Sequence, residues 1–323
     1  MITPKENMRR IITGDGEAEW MPIASEDFDI VYPTILQERP VFGQDGYDWY
    51  GVRWVFDKGF NSFFQDMSVP LVCDDITLWR EQVHFPDYSQ YDFEEAAKRD
   101  LEGHDRESKF LRLFLECGAW ERLHSLVGFE NAFIYMYDEP DEFKALMQAL
   151  TDNREQLIRL LKQSYDMDAV FDMNDLGSAK TSFLSPEMYR EFIQPYQKQL
   201  VDVCHELDIF YVMHSCGTVD NLFGDMIATG CDIINPIQGC NNWEFLRDNY
   251  LGKVVFEGAR NLRCEDVDAT EEFIRNDIRK GIDMFAPGKK FIFDDYCMLP
   301  RNQQIMVDEA KKYGQKYYGC PEG

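Results

Sequence analysis

Through the second half of the chain, short β-rich apolar runs alternate with longer stretches whose apolar residues recur three and four positions apart. The short runs are Asp168–Phe171 (DAVF), Phe210–Met213 (FYVM), Asp232–Asn235 (DIIN), Lys253–Phe256 (KVVF) and Lys290–Phe293 (KFIF), each predicting a buried strand. The intervening pattern predicts helices over Pro186–Leu207, Val219–Thr229, around Asn242–Asn249, Thr270–Phe285 and Asn302–Tyr317. Upstream, a helix is expected over Pro4–Thr13, stopped by Gly-Asp-Gly, then a first buried strand over Trp20–Ile23. Glu94–Leu113 reads as a charged helix and Ala119–Phe129 as a strand and turn. Asn131–Tyr137 is helix-like, and the next helix opens at Glu139-Pro140-Asp141 and runs through Tyr165. Residues 37–65, rich in aromatics and glycine, follow neither period and predict loops with a small irregular sheet.

Short strands alternating with helices argue for a parallel sheet with crossover helices. Five such units in a row fit an α/β fold closed as a (β/α)8 TIM barrel, with irregular N-terminal additions, better than an open sheet. No glycine-rich dinucleotide turn follows any strand, which weakens a Rossmann reading. With no repeat, low-complexity tract or linker, residues 1–323 are expected to form a single domain.

Composition narrows the class of function. No apolar run reaches the eighteen or so residues a membrane span requires. The first twenty residues carry acids and no apolar core, so no secretion signal is expected. Nine cysteines without such a signal point to a reducing, cytoplasmic setting. The formal charge of −26 repels phosphate backbones and argues against nucleic acid as a partner.

Barrel active sites lie at the C-terminal ends of the strands, so the polar residues just past each run are the candidates. These are Asp172, Asn174 and Asp175; His214 and Cys216; Pro236 and Gln238; Glu257 and Arg260; Asp294, Asp295 and Cys297. His214 and Cys216 lie two residues apart and project to the same side of an extended strand. One imidazole and two thiols suit zinc, which predicts His214, Cys216 and Cys297 as metal ligands, the fourth place open or taken by Glu257 or a substrate atom. Asp172 and Asp175, with Glu257, are the candidates for catalytic acid or base, the aspartates also being able to cap their loop. Cys73, Cys117, Cys204, Cys231, Cys240, Cys264 and Cys320 have no partner at metal spacing. Trp49, Tyr50 and Trp54 either line a pocket or docking mouth or fill a cap.

HSCG followed by a helix, then GCDIINPIQ and VVFEGARN, resembles the C-terminal half of the uroporphyrinogen decarboxylase superfamily. TPKENMRRIITGD, DWYGVRW, GFENAFIYMYDEP and NDLGSAKTSFLSPEMYREFIQPY agree with it. The resemblance implies a TIM barrel. Decarboxylases of that superfamily hold substrate carboxylates with an arginine-rich N-terminal loop, whereas PVFGQDGYDWYG here is acidic and aromatic. The other branch comprises corrinoid-dependent methyltransferases, whose thiol-methylating members bind zinc through His-x-Cys and a later Cys. His214, Cys216 and Cys297 match that pattern. The resemblance therefore implies a zinc-dependent methyltransferase moving a methyl group between a corrinoid (methylcobalamin) and a thiol, methoxylated or methylated small molecule. No corrinoid-binding DxHxxG stretch occurs, so the corrinoid is expected on a partner protein. The alternative is a metal-free carboxy-lyase of the uroporphyrinogen decarboxylase type.

Overall fold

The computed structural model describes residues 2–59 and 61–318; Cys320 lies outside them. The strands are β1 (Phe28–Val31), β2 (Gly46–Tyr47), β3 (Arg53–Asp57), β4 (Ser62–Gln65), β5 (Phe110–Leu115), β6 (Ala169–Met173), β7 (Phe210–His214), β8 (Ile233–Gln238), β9 (Val255–Arg260) and β10 (Phe291–Phe293). Seven of them form a parallel sheet in the order β1-β5-β6-β7-β8-β9-β10. The far edge returns to the chain just before β1: Ile23 makes a parallel bridge to Phe293 on β10, and the Phe293 N–H donates to Pro22 O at 2.9 Å. The fold is the expected α/β TIM barrel, with Ile23 in the eighth strand position. β2, β3 and β4 form a separate antiparallel sheet within the irregular segment.

The barrel strands are buried on both faces, because helices cover the outside and side chains fill the inside. All six residues of β9 and the last four of β7 are buried. This explains why the strands read as apolar runs and not as alternations. The lengths of chain between them form the covering helices, among them Phe223–Ala228, Trp243–Tyr250, Glu271–Phe285 and Pro300–Gly314. The longest helix, Pro140–Tyr165, is amphipathic, and no helix of the described residues is long and apolar enough to cross a membrane.

Four local expectations are corrected. Glu94–Leu113 is not one helix: helix Phe93–Asp100 gives way to a turn containing Gly103 at φ +82°, and FLRLFL then forms β5. Charged residues before a strand had masked a run whose one charge, Arg112, is itself buried. Ala119–Val127 is a helix, ended by Gly128 at φ +90°. Its buried face includes Trp120, Leu123, Leu126 and Val127, a spacing of three and four. Pro186–Leu207 divides into helices Pro186–Phe192 and Gln194–Glu206, because Pro195 has no N–H to continue the ladder. Trp20–Ile23 contributes only the bridge at Ile23, and the first full strand is β1.

The aromatic segment is a cap with its own polar core. Trp54 Nε1 donates to Asp48 Oδ2 at 2.8 Å, and Tyr50 Oη donates to Asn153 Oδ1 at 2.8 Å. Trp49 packs edge-on between Tyr88 and Tyr91, at 5.6 and 5.5 Å. Asp48 also receives Arg122, a fully desolvated ion pair. These aromatics fill the cap, and Trp49 and Tyr50 also line a small cavity beside Arg122 and Arg154.

Candidate metal centre

β7 ends at His214, and Ser215-Cys216-Gly217 turns over the mouth of the barrel. The turn is fixed by contact with the loop after β6. Gly217 has φ +88°, and a Cβ there would lie 2.4 Å from the carbonyl carbon of Gly177. A Cβ on Gly177 would in turn lie 2.7 Å from Thr218 O. Only glycine on both sides permits this approach. Thr218 N–H donates to Ser178 O at 2.8 Å and Leu176 N–H to Ser215 Oγ at 2.9 Å, sealing the two loops together.

This joining brings Asp175 to the pair on β7. The Cys216 N–H donates to Asp175 Oδ1 at 2.7 Å. His214 Nε2 lies 3.6 Å from Asp175 Oδ1 and 3.5 Å from Cys216 Sγ. One ligand atom from each of Asp175, His214 and Cys216 falls within 4.8 Å of the others, the one such group of three among the described residues. Nitrogen, sulfur and oxygen donors converging at a barrel mouth fit a borderline divalent cation.

The surroundings support that fit. Burial pushes the Cys216 thiol well above its ordinary range, and the negative charges of Asp175 and Glu121 push it further. Burial, then the Asp175 charge, pushes Glu121 up to about 8. Glu121 Oε1 accepts the Asp175 N–H at 3.0 Å, and Oε2 accepts from Arg39 at 3.2 Å. Without a cation the cluster carries an excess of acid, and a divalent ion would offset it and favour the thiolate. Gln238 steadies the thiol: its Oε1 accepts the Gly217 N–H at 2.7 Å and its Nε2 donates to Cys216 Sγ at 3.5 Å.

Cys297 is not in the group. It follows β10 in a loop drawn elsewhere: Arg260 donates from Nε to Asp294 O at 3.1 Å and from Nη2 to Tyr296 O at 2.5 Å. Asp295 accepts from Ser25 N–H at 2.9 Å and from Gln303 Nε2 at 3.0 Å. Burial raises the Cys297 thiol's pKa, opposed first by the backbone at Leu299. Of the expected ligands His214, Cys216 and Cys297, the structure brings the first two together with Asp175, and Cys297 is not in that group.

The other two carboxylates are also committed. Asp172 is fully buried. Its Oδ1 accepts from Arg154 Nε at 2.9 Å and Nη2 at 2.6 Å, and its Oδ2 from Asn174 at 2.7 Å and Tyr211 Oη at 2.6 Å. Its acceptor sites are filled and a guanidinium lies against it, which ties Asp172 into the barrel wall. Glu257, also fully buried, takes Arg112 Nη1 on both oxygens at 2.8 Å. Burial raises its pKa, opposed by Arg112 and by a hydrogen bond from Asn235. It is not in the group with His214.

Sequence reasoning missed Glu121 and Asn235. A carboxylate inside the apolar run AWERLHSLV and an amide ending the apolar run DIIN were the available signals.

A family model described as uroporphyrinogen decarboxylase (URO-D) matches residues 116–306. The chain belongs to the uroporphyrinogen decarboxylase family. That stretch includes β6 to β10 and every residue of the cluster. Among curated proteins, a methylcobamide:CoM methyltransferase MtbA of Methanosarcina acetivorans is 27% identical over 161 residues, 48% of this chain and 44% of that protein. The MtbA of Methanosarcina mazei is 36% identical over 79 residues, 24% of this chain and 22% of that protein. The matches thus span less than half the length of these relatives. A solved structure described as a methyltransferase from Methanosarcina mazei shares the fold over 97% of this chain and 99% of its own, with a TM-score of 0.72 and 13% identity.

Proposed function

We propose that the protein is a zinc-dependent methyltransferase that moves a methyl group between a corrinoid carried by a partner protein and a small thiol or methylated compound. The observation that carries this reading is the convergence of Asp175, His214 and Cys216 at the barrel mouth. The names of the MtbA relatives supply the reaction class.

His214 and Cys216 would hold the metal, with Asp175 as the third ligand in the arrangement seen here. Cys297 would have to join from the loop after β10 to add a second thiolate. When bound, zinc lowers the pKa of a ligated thiol, or polarises a methylated substrate, at neutral pH. In the thiol-methylating direction a sulfur–carbon bond forms as the methyl's bond to the corrinoid cobalt breaks, and that electron pair stays with cobalt. Gln238 holds Cys216 in place, and the thiol proton leaves to solvent. Around the same mouth Tyr32, Tyr296 and Met298 are 53%, 59% and 51% exposed, leaving apolar surface for a corrinoid-bearing partner. A thiol-bearing metal site suits the reducing cytoplasm.

The test combines metal analysis with turnover. Protein purified without added metal is expected to hold about one zinc per chain, lost in His214→Ala and Cys216→Ser. It is expected to transfer methyl from free methylcobalamin to at least one member of a thiol panel, or to demethylate methoxylated aromatics in reverse. A wild-type protein that neither retains nor takes up zinc refutes the reading.

A further inference from the structure

His214 can present a lone pair to a metal from Nε2 only when its proton sits on Nδ1. Which nitrogen carries the proton is set by what the other one meets. Nδ1 lies 2.7 Å from Asn235 Oδ1. Asn235 is the register partner of His214 on β8, and it is 4% exposed.

An asparagine amide could turn either face to the ring, oxygen or nitrogen. Its second partner decides. The Asn235 side chain also acts on Glu257, one strand further on β9, where it favours the carboxylate as a hydrogen-bond donor does. Glu257 receives the Arg112 guanidinium on both oxygens from β5, a strand separated from β9 by three others in the sheet order. A carboxylate paired with a guanidinium only accepts, so Asn235 must turn Nδ2 to Glu257 and Oδ1 to His214. Oδ1 can only accept, so the His214 proton lies on Nδ1. Nε2 is left as a lone pair facing Asp175 and Cys216. Phe171 packs against both ends of this arrangement, its centroid 4.9 Å from that of His214 and 5.1 Å from the Arg112 guanidinium carbon.

We propose that Arg112, Glu257 and Asn235 form a directional hydrogen-bond chain across the barrel that fixes the His214 tautomer, with Asn235 and Glu257 as positioning residues for metal binding. The chain rests on the proposed metal site only in its last link; the tautomer itself is a property of the metal-free protein.

Two measurements separate the two. In metal-free protein labelled with 15N-histidine, the His214 resonance, assigned by its loss in His214→Asn, is expected to report Nδ1 protonated and Nε2 bare. Glu257→Gln gives Asn235 a neighbour that can donate as well as accept, so the Nε2-protonated form is expected to appear. Asn235→Leu, which leaves the Arg112–Glu257 pair intact, removes the acceptor and is expected to do the same. Zinc affinity, read by competition with a chromogenic chelator, should fall about 10–100-fold in both variants. Should Glu257→Gln fail to fold with Arg112 left unpaired, Asn235→Leu carries the test alone. A wild-type His214 protonated on Nε2, or an unchanged tautomer in Asn235→Leu, overturns the proposal. A wild type with the Nδ1 tautomer that takes up no zinc overturns the metal reading and leaves the hydrogen-bond chain standing.

Discussion

Gly217 offers a quantitative test of how the site is assembled, because two separable costs meet there. The first is conformational: φ is +88°, and a Cβ in that region costs about 1–2 kcal/mol. The second is steric: the Cβ would lie 2.4 and 2.5 Å from Gly177 C and O, backbone atoms that cannot rotate away. Forcing extra volume into packed surroundings costs about 1–3 kcal/mol. Two other glycines isolate the terms. Gly14 has φ +79° with nothing within 4 Å of a Cβ, so Gly14→Ala carries only the first. A Cβ on Gly177 would meet Thr218 O at 2.7 Å and Thr218 N at 2.9 Å without a left-handed φ, so Gly177→Ala carries only the second. Gly217→Ala should then lose about 2–5 kcal/mol. With an unfolding entropy of about 2.1 cal/mol/K per residue over 323 residues, that is roughly 3–7 °C in Tm. Gly14→Ala should lose roughly 1.5–3 °C by the same conversion. Calorimetry and urea unfolding of the three variants give the comparison. Gly177→Ala and Gly217→Ala should also weaken zinc binding, since both part Asp175 from Cys216, while Gly14→Ala should leave it unchanged. A Gly217→Ala protein no less stable than Gly14→Ala would refute the close-packed loop junction.

The remaining predictions concern the committed carboxylates and the thiols. Asp172→Asn should destabilise by about 1–3 kcal/mol, because it weakens a buried pair while Arg154 keeps Glu38 as its other partner; urea unfolding measures it, and zinc content per folded molecule should stay at the wild-type level. Glu309 is set between Arg275 and Arg279, at 2.9 and 2.5 Å. Burial is the largest single influence on it and raises its pKa, but the bonds and charges of the two arginines outweigh burial and hold the carboxyl below its ordinary value of 4.5. A folded pKa below the unfolded one stabilises above the ordinary value and is lost as pH falls through the folded value. Glu309→Gln should therefore flatten the loss of stability below about pH 4.5, seen as a shallower Tm–pH slope. Cys216→Ser should abolish tight zinc binding, whereas Cys297→Ser should leave it unchanged if Arg260 keeps the loop of that thiol tied down; an equal loss in both would show that the loop after β10 joins the site.

The sequence by itself determined the parts of this protein that depend on neighbours along the chain. Alternating apolar runs and helical periods specify a barrel, because a buried parallel strand must be apolar on both faces. The pair His214 and Cys216 was legible for the same reason: they lie two residues apart at a strand end, although β7 stops at His214 and Cys216 lies just past it. Local reading failed where the deciding partner was distant. The strand FLRLFL was hidden because the carboxylate that makes Arg112 tolerable in a core lies on β9. Asp172 was named from its place at a strand end, and that place did not show that Arg154, Tyr211 and Asn174 occupy it. The third member of the metal group was decided by tertiary structure alone. Two glycines let the loops after β6 and β7 touch and deliver Asp175, while Arg260 ties down the loop that carries Cys297. Strand spacing names the rim on which a side chain lies; only the packing of one loop on the next says which of its side chains meet.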